Sequence, residues 1–134
     1  MSKLSAFLHP AAFEEERLVA ISDRFVDEEG NPVPFRIRAL TQEDIDRCNR
    51  MPAKQASGRN GAQAFPDPAE FSRRMVLAAV VEPDFSSKEL CEAYGVADPM
   101  LVPGRMLLPG EYTRLLRAIT DLAGLGNLED DLKN

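Results

Sequence analysis

Apolar and polar residues change rhythm several times along the chain, and each change marks an element. Val19 and Ile21 recur at period two with Phe25 beyond them, and Phe35, Ile37 and Ala39 alternate with Arg36 and Arg38. That period puts one set of side chains on one face of a strand, so both segments predict β structure, the second with an apolar and a basic face. Between them Asp27, Glu28, Glu29, Gly30 and Asn31 supply turn chemistry, since Gly30 and Asn31 take positive φ cheaply. The pair reads as a hairpin. Pro32 and Pro34 lack amide donors, which predicts that the second strand begins at a sheet edge. A lone hairpin is marginal in water, so its Phe35 and Ile37 face needs helices or another chain's strands to cover it.

Helical spacing dominates elsewhere. Thr41 is placed as an N-cap ahead of Glu43 and Asp44, which suit the positive end of a helix dipole; Ile45, Cys48 and Met51 then fall inward until Pro52 stops the run. Asp67 and Pro68 open a second helix with Phe71, Met75, Ala78 and Ala79 on one face, extending to Pro83. Ser86 with Glu89 three residues on predicts a capped short helix bearing Leu90 and Tyr94, closed by Gly95. Met100, Leu101, Met106, Leu107 and Leu108 make the Pro/Gly-punctuated stretch that follows too apolar for a free linker. The last helix covers about residues 111–123, with Leu115, Leu116, Ile119 and Leu122 together and Gly124 as its stop.

At the start, Leu4, Phe7, Leu8 and Phe13 form a short apolar cluster interrupted by Pro10 and followed by Glu14, Glu15 and Glu16; alone it is too short for a stable helix. Residues 53–66 have almost no apolar anchor. The resulting organisation is an N-terminal arm (1–16), a single α+β domain (17–124) containing a flexible basic loop (53–66), and an acidic C-terminal tail (125–134). The fold class is α+β, mainly helical, with one N-terminal β-hairpin packed on about four helices.

Length and charge narrow the function. At 134 residues and 44% hydrophobic the chain suits one domain, and it has no run of some 18 apolar residues to span a bilayer, so a cytoplasmic protein is expected. The net charge is −6, but residues 47–74 are a basic island containing Arg47, Arg50, Lys54, Arg59, Arg73 and Arg74. A stripe of this kind fits a solvated loop, an acidic protein partner, or nucleic acid in a small regulatory protein. Phe65 is the loop's one aromatic, so the stacking platform of a single-strand binder is missing.

Residues for catalysis do not converge. His9 is the only histidine, Cys48 and Cys91 are far apart and read as buried reduced thiols, and Ser86 and Ser87 lack a nucleophile elbow. Gly58 and Gly61 make no Walker pattern, and the Asp27–Asn31 oxygens lack the spacing of an EF-hand. Neither an enzyme nor a cofactor is expected.

The string Ser22, Arg24, Phe25, Asp27, Glu28, Gly30, Pro32, Val33, Pro34, Phe35, Ile37, Arg38, Ala39 resembles the XkdN-like tail assembly chaperones of long-tailed bacteriophages. Pro83 and Asp84, Leu90 with Tyr94, Gly95 and Val96, and Met106 leading to Gly110, Glu111, Tyr112 and Leu115 extend the likeness. Phe35 stands where family members often have Trp, and residues 53–66 have no counterpart motif. The resemblance implies a non-enzymatic assembly factor in the host bacterial cytoplasm, absent from the mature virion. It would keep the tape measure protein soluble and help the tail tube protein polymerise; the sequence leaves both a monomer and a homo-oligomer open. Masking a long apolar stripe requires apolar surface, so the candidate partner-binding residues are Leu4, Phe7, Leu8, Phe35, Ile37, Met100, Leu101, Met106, Leu107 and Leu108, together with the hairpin edge.

Overall fold

A computed structural model describes residues 3–50 and 66–125. The expectations for Met51, most of the 53–66 loop and the tail beyond Leu125 lie outside those residues. Helix α1 (Lys3–Leu8) leads through an irregular stretch to β1 (Glu16–Val19), and β2 (Phe35–Arg38) precedes α2 (Gln42–Cys48). Next come α3 (Pro68–Ala79), β3 (Val80–Glu82) and α4 (Lys88–Ala93). A 3₁₀ turn (Pro99–Leu101) then leads into α5 (Val102–Met106) and α6 (Pro109–Leu122). The class is α+β, as the pattern predicts.

The hairpin forms with Val19 opposite Phe35 and Arg17 opposite Ile37. Its loop closes through the Val26–Pro32 bridge and the Gly30 N–H donating to the Asp27 carbonyl at 3.0 Å, with Gly30 at φ +86°. Two expectations fail beyond it. β2 is not at an edge: the order is β1-β2-β3, all antiparallel. Both prolines precede Phe35, so residues 35–38 keep their amide donors and pair on both sides. The helix from Pro68 does not run to Pro83 either. It stops at Ala79, and the β-branched Val80 and Val81 enter β3, where Val80 faces Ile37 and Glu82 pairs with Arg36.

Caps explain the helix starts. Thr41 and Asp44 form a capping box for α2, and the Asp67 carboxylate accepts the Glu70 N–H at 2.8 Å at the start of α3. For α4 the cap is Ser87, whose hydroxyl accepts the Leu90 N–H at 3.3 Å; Ser86, expected in that role, instead donates its N–H to Asp84. The apolar stretch after Asp98 is ordered into the 3₁₀ turn and α5, because Val102, Pro103, Met106 and Leu107 are buried. The core lies between the inner sheet face (Phe35, Ile37) and the helices, with Val76 and Ala79 of α3 and Leu115 and Ile119 of α6. Phe35 is central: its ring centroid is 6.0 Å from that of Phe25 and 6.3 Å from that of Phe85.

Candidate interaction surface

Two arginine–carboxylate clamps fix the scaffold on which any binding surface rests. Asp44 and Glu111 are the buried charged residues among those described, and each is the third residue of its helix. Glu111 accepts the Leu108 N–H at 2.8 Å and Arg24 Nε at 2.9 Å, while Arg24 Nη2 also donates to the Met106 carbonyl at 3.0 Å. The Arg24 hydrogen bonds, with smaller help from the Ser22 hydroxyl and the Leu108 amide, hold the Glu111 carboxyl down at about 2. Asp44 accepts Arg38 Nη1 at 3.1 Å, the Thr41 N–H at 2.9 Å and Arg47 Nη1 at 3.0 Å, and Arg38 Nε reaches the Ala78 carbonyl at 2.8 Å. The Arg38 hydrogen bond and then the Thr41 amide hold its carboxyl well below the usual range. Both acids are ionised and internally satisfied, so neither is poised to donate a proton in catalysis.

Burial divides the ten candidate partner-binding residues. Phe35 (2% exposed), Ile37, Met106 and Leu107 belong to the core. As surface contacts they are corrected: all four pack in the domain's own core, although Leu107 also lines a groove. Met100 is half-buried. Leu101, Leu108, Leu4, Phe7 (80% exposed) and Leu8 are on the surface, and Phe13 (67% exposed), Leu18, Val26 and Val33 join them. Alternation along Phe35-Arg36-Ile37-Arg38 was the signal for core, and it outweighs any surface role.

The arm presents apolar side chains without hiding any. None of the residues of α1 is buried. Its root is firm: Arg17 bridges Glu14 at 2.6 Å and Asp121 of α6 at 2.8 Å, and the Glu15 carbonyl accepts the Ala39 N–H at 2.7 Å. Elsewhere a groove of about 410 Å³ opens between the start of α3 and α5–α6, lined by Ala69, Arg73, Gly104, Leu107, Pro109 and Tyr112 among others. Burial raises the Tyr112 hydroxyl above its ordinary value.

Part of the basic island serves internal contacts. Arg47 pairs with Asp44 and Glu43; Arg74 pairs with Glu70 at 2.9 Å and donates to the Cys48 carbonyl at 2.9 Å at the end of α2. Cys48 and Cys91 are free and buried, and burial pushes the Cys48 thiol up. No group of three or more potential metal ligands occurs, and no helix is long and apolar enough to cross a membrane, among the described residues.

Comparison with known proteins matches this architecture to one family. The family model for phage XkdN-like tail assembly chaperone proteins matches residues 4–134. The chain is 37% identical over 139 residues to the phage-like element PBSX protein XkdN of Bacillus subtilis, covering 98% of this chain and 93% of that protein. It is 38% identical to YqbN of the same organism, with the same coverage. The crystal structure of YqbN superposes with a TM-score of 0.73 at 36% identity, covering 92% of this chain and 98% of the other. Arg24 and Glu111, both among the residues that carry the resemblance, meet in the folded domain as one clamp, and by these matches the chain belongs to the XkdN-like phage tail assembly chaperone family.

Proposed function

We propose that this chain chaperones phage tail assembly by binding the tape measure protein through exposed apolar side chains, and that it assists polymerisation of the tail tube protein without catalysing a reaction. The observation that carries the reading is the N-terminal arm: Phe7, Leu8 and Phe13 are exposed beside a domain whose core is already closed by Phe35, Val76, Leu115 and Ile119. Large apolar side chains on a closed domain need a partner surface. A tape measure protein that forms long amphipathic helices offers one by helix-in-groove or helix-on-helix contact. Leu4, Leu101 and Leu108 extend the same surface class. Action of this kind needs no cofactor and is transient, which agrees with a protein working in the host cytoplasm and leaving before the virion matures.

Co-expression tests it. Soluble yield of the neighbouring tape measure protein should rise several-fold with the intact chain and return to the baseline with Phe7→Asp/Leu8→Asp. An unchanged yield, with no complex on size exclusion, rejects the reading.

A further inference from the structure

The arm and the groove have complementary needs. A six-residue helix is far below the length that is stable in water by itself, so α1, with no buried residue, calls for a covering surface. It offers Phe7 and Leu8, with the acidic run Glu14, Glu15 and Glu16 behind them; Glu14 is held by Arg17, while Glu15 and Glu16 form no ion pair among the described residues. The groove offers the converse: apolar walls at Leu107, Pro109 and Tyr112, open space at Gly104, and Arg73 at the lining. Arg73 likewise forms no ion pair among the described residues, unlike Arg74 beside it. No described residue of the arm lines the groove of its own chain. The arm's root is fastened to Asp121, and the groove lies at Tyr112 and Pro109, about 14 to 18 Å away along α6 at about 1.5 Å per residue.

We propose that the groove between α3 and α6 receives the N-terminal arm of a second copy of this chain, so that two copies exchange arms about a two-fold axis. Phe7 and Leu8 enter between Leu107 and Tyr112, and the acidic run lies beside Arg73. Opposite charge sets the direction of docking, and burial of the two apolar surfaces supplies the affinity. A closed two-fold pair covers both arms and both grooves at once; on the tape measure reading above, that partner displaces the arms from the grooves when it binds.

Sedimentation velocity of the full chain tests this independently of the tape measure reading, which stands or falls on soluble yield. The wild type should be a dimer. Phe7→Asp should be monomeric with the far-UV circular dichroism of the wild type, because the side chain it replaces is exposed within its own chain; Leu8→Asp serves if that variant does not fold. Gly104→Trp should also be monomeric, since a Cβ at this position meets nothing within 4 Å and the indole can fill the groove. An equimolar mixture of Phe7→Asp and Gly104→Trp should associate again, because one intact arm meets one intact groove. A monomeric wild type overturns the proposal. So does either variant that associates as the wild type does, or a mixture that stays monomeric.

Discussion

Arg24 and Glu111, 87 residues apart in sequence, are joined side by side through Nε and Nη2, and the same carboxylate caps the first turn of α6. One acid therefore does two things: it satisfies an orphan amide at a helix start and fixes the hairpin loop to that helix. Arg38 and Asp44 repeat the device between β2 and α2. Replacing Arg24 by Ala leaves a buried carboxylate short of its main donor, whereas Arg24→Lys retains the charge but loses the two-pronged geometry. The expected order of urea midpoints is wild type, then Arg24→Lys, then Arg24→Ala. Equal midpoints would show that the clamp contributes nothing to stability.

Acid should release this clamp. The Glu111 carboxyl is depressed from an ordinary 4.5 to about 2 in the folded chain, and Asp44 is depressed in the same direction. In that range the unfolded chain binds more protons, so stability falls with pH. The contribution is fully present above about pH 4.5 and is lost progressively as pH falls towards 2. Urea midpoints measured across that window should decline for the wild type. Glu111→Gln should start lower at neutral pH and decline less steeply, because one of the responsible groups no longer titrates.

Core and surface apolar residues should separate cleanly under mutation. Phe35→Ala removes the ring between Phe25 and Phe85 and should cost about 3–5 kcal/mol; Leu115→Ala, fully buried, should cost about 2–5 kcal/mol. Phe7→Ala, exposed within its own chain, should stay within about 0.5 kcal/mol of the wild type at concentrations dilute enough for both to be monomeric. Chemical denaturation measures all three. A large loss for Phe7→Ala would mean that the arm is structural in the isolated chain.

Much of this division was legible beforehand, and the parts that were not have physical reasons. Alternation at Phe35 and Ile37 announced a buried strand face, and the acidic turn with Gly30 announced its loop. Asp67-Pro68 announced the start of α3, but no punctuation separates Ala79 from Val80, so a helical run and a short strand merged into one predicted element. The position of β2 depended on β3 and was misplaced with it. Phe35, Ile37, Met106 and Leu107 were eligible as surface only because a sequence does not say which apolar residues a 134-residue core consumes. The clamps were half visible: Glu111 sits two residues after Pro109, which marks a helix start, yet nothing in its neighbourhood points to Arg24. Both residues are among those that carry the family resemblance, but it is the fold that pairs them.

The two cysteines give a last check on packing. Cys48 closes α2 and Cys91 lies in α4, with its Sγ 3.6 Å from the Phe85 carbonyl; both are buried and neither is in a disulfide. Burial raises the Cys48 thiol, so little reactive thiolate is present near neutral pH and access is blocked as well. A thiol reagent such as Ellman's should therefore react slowly with the native chain, and two equivalents should react at once in denaturant. Arg74→Ala removes the donor on the Cys48 carbonyl at the end of α2 and should speed labelling of Cys48 selectively, measured by mass spectrometry of the labelled peptides. Equal acceleration at both cysteines would instead indicate global destabilisation, and none at all would mean that Arg74 does not hold the end of α2 closed.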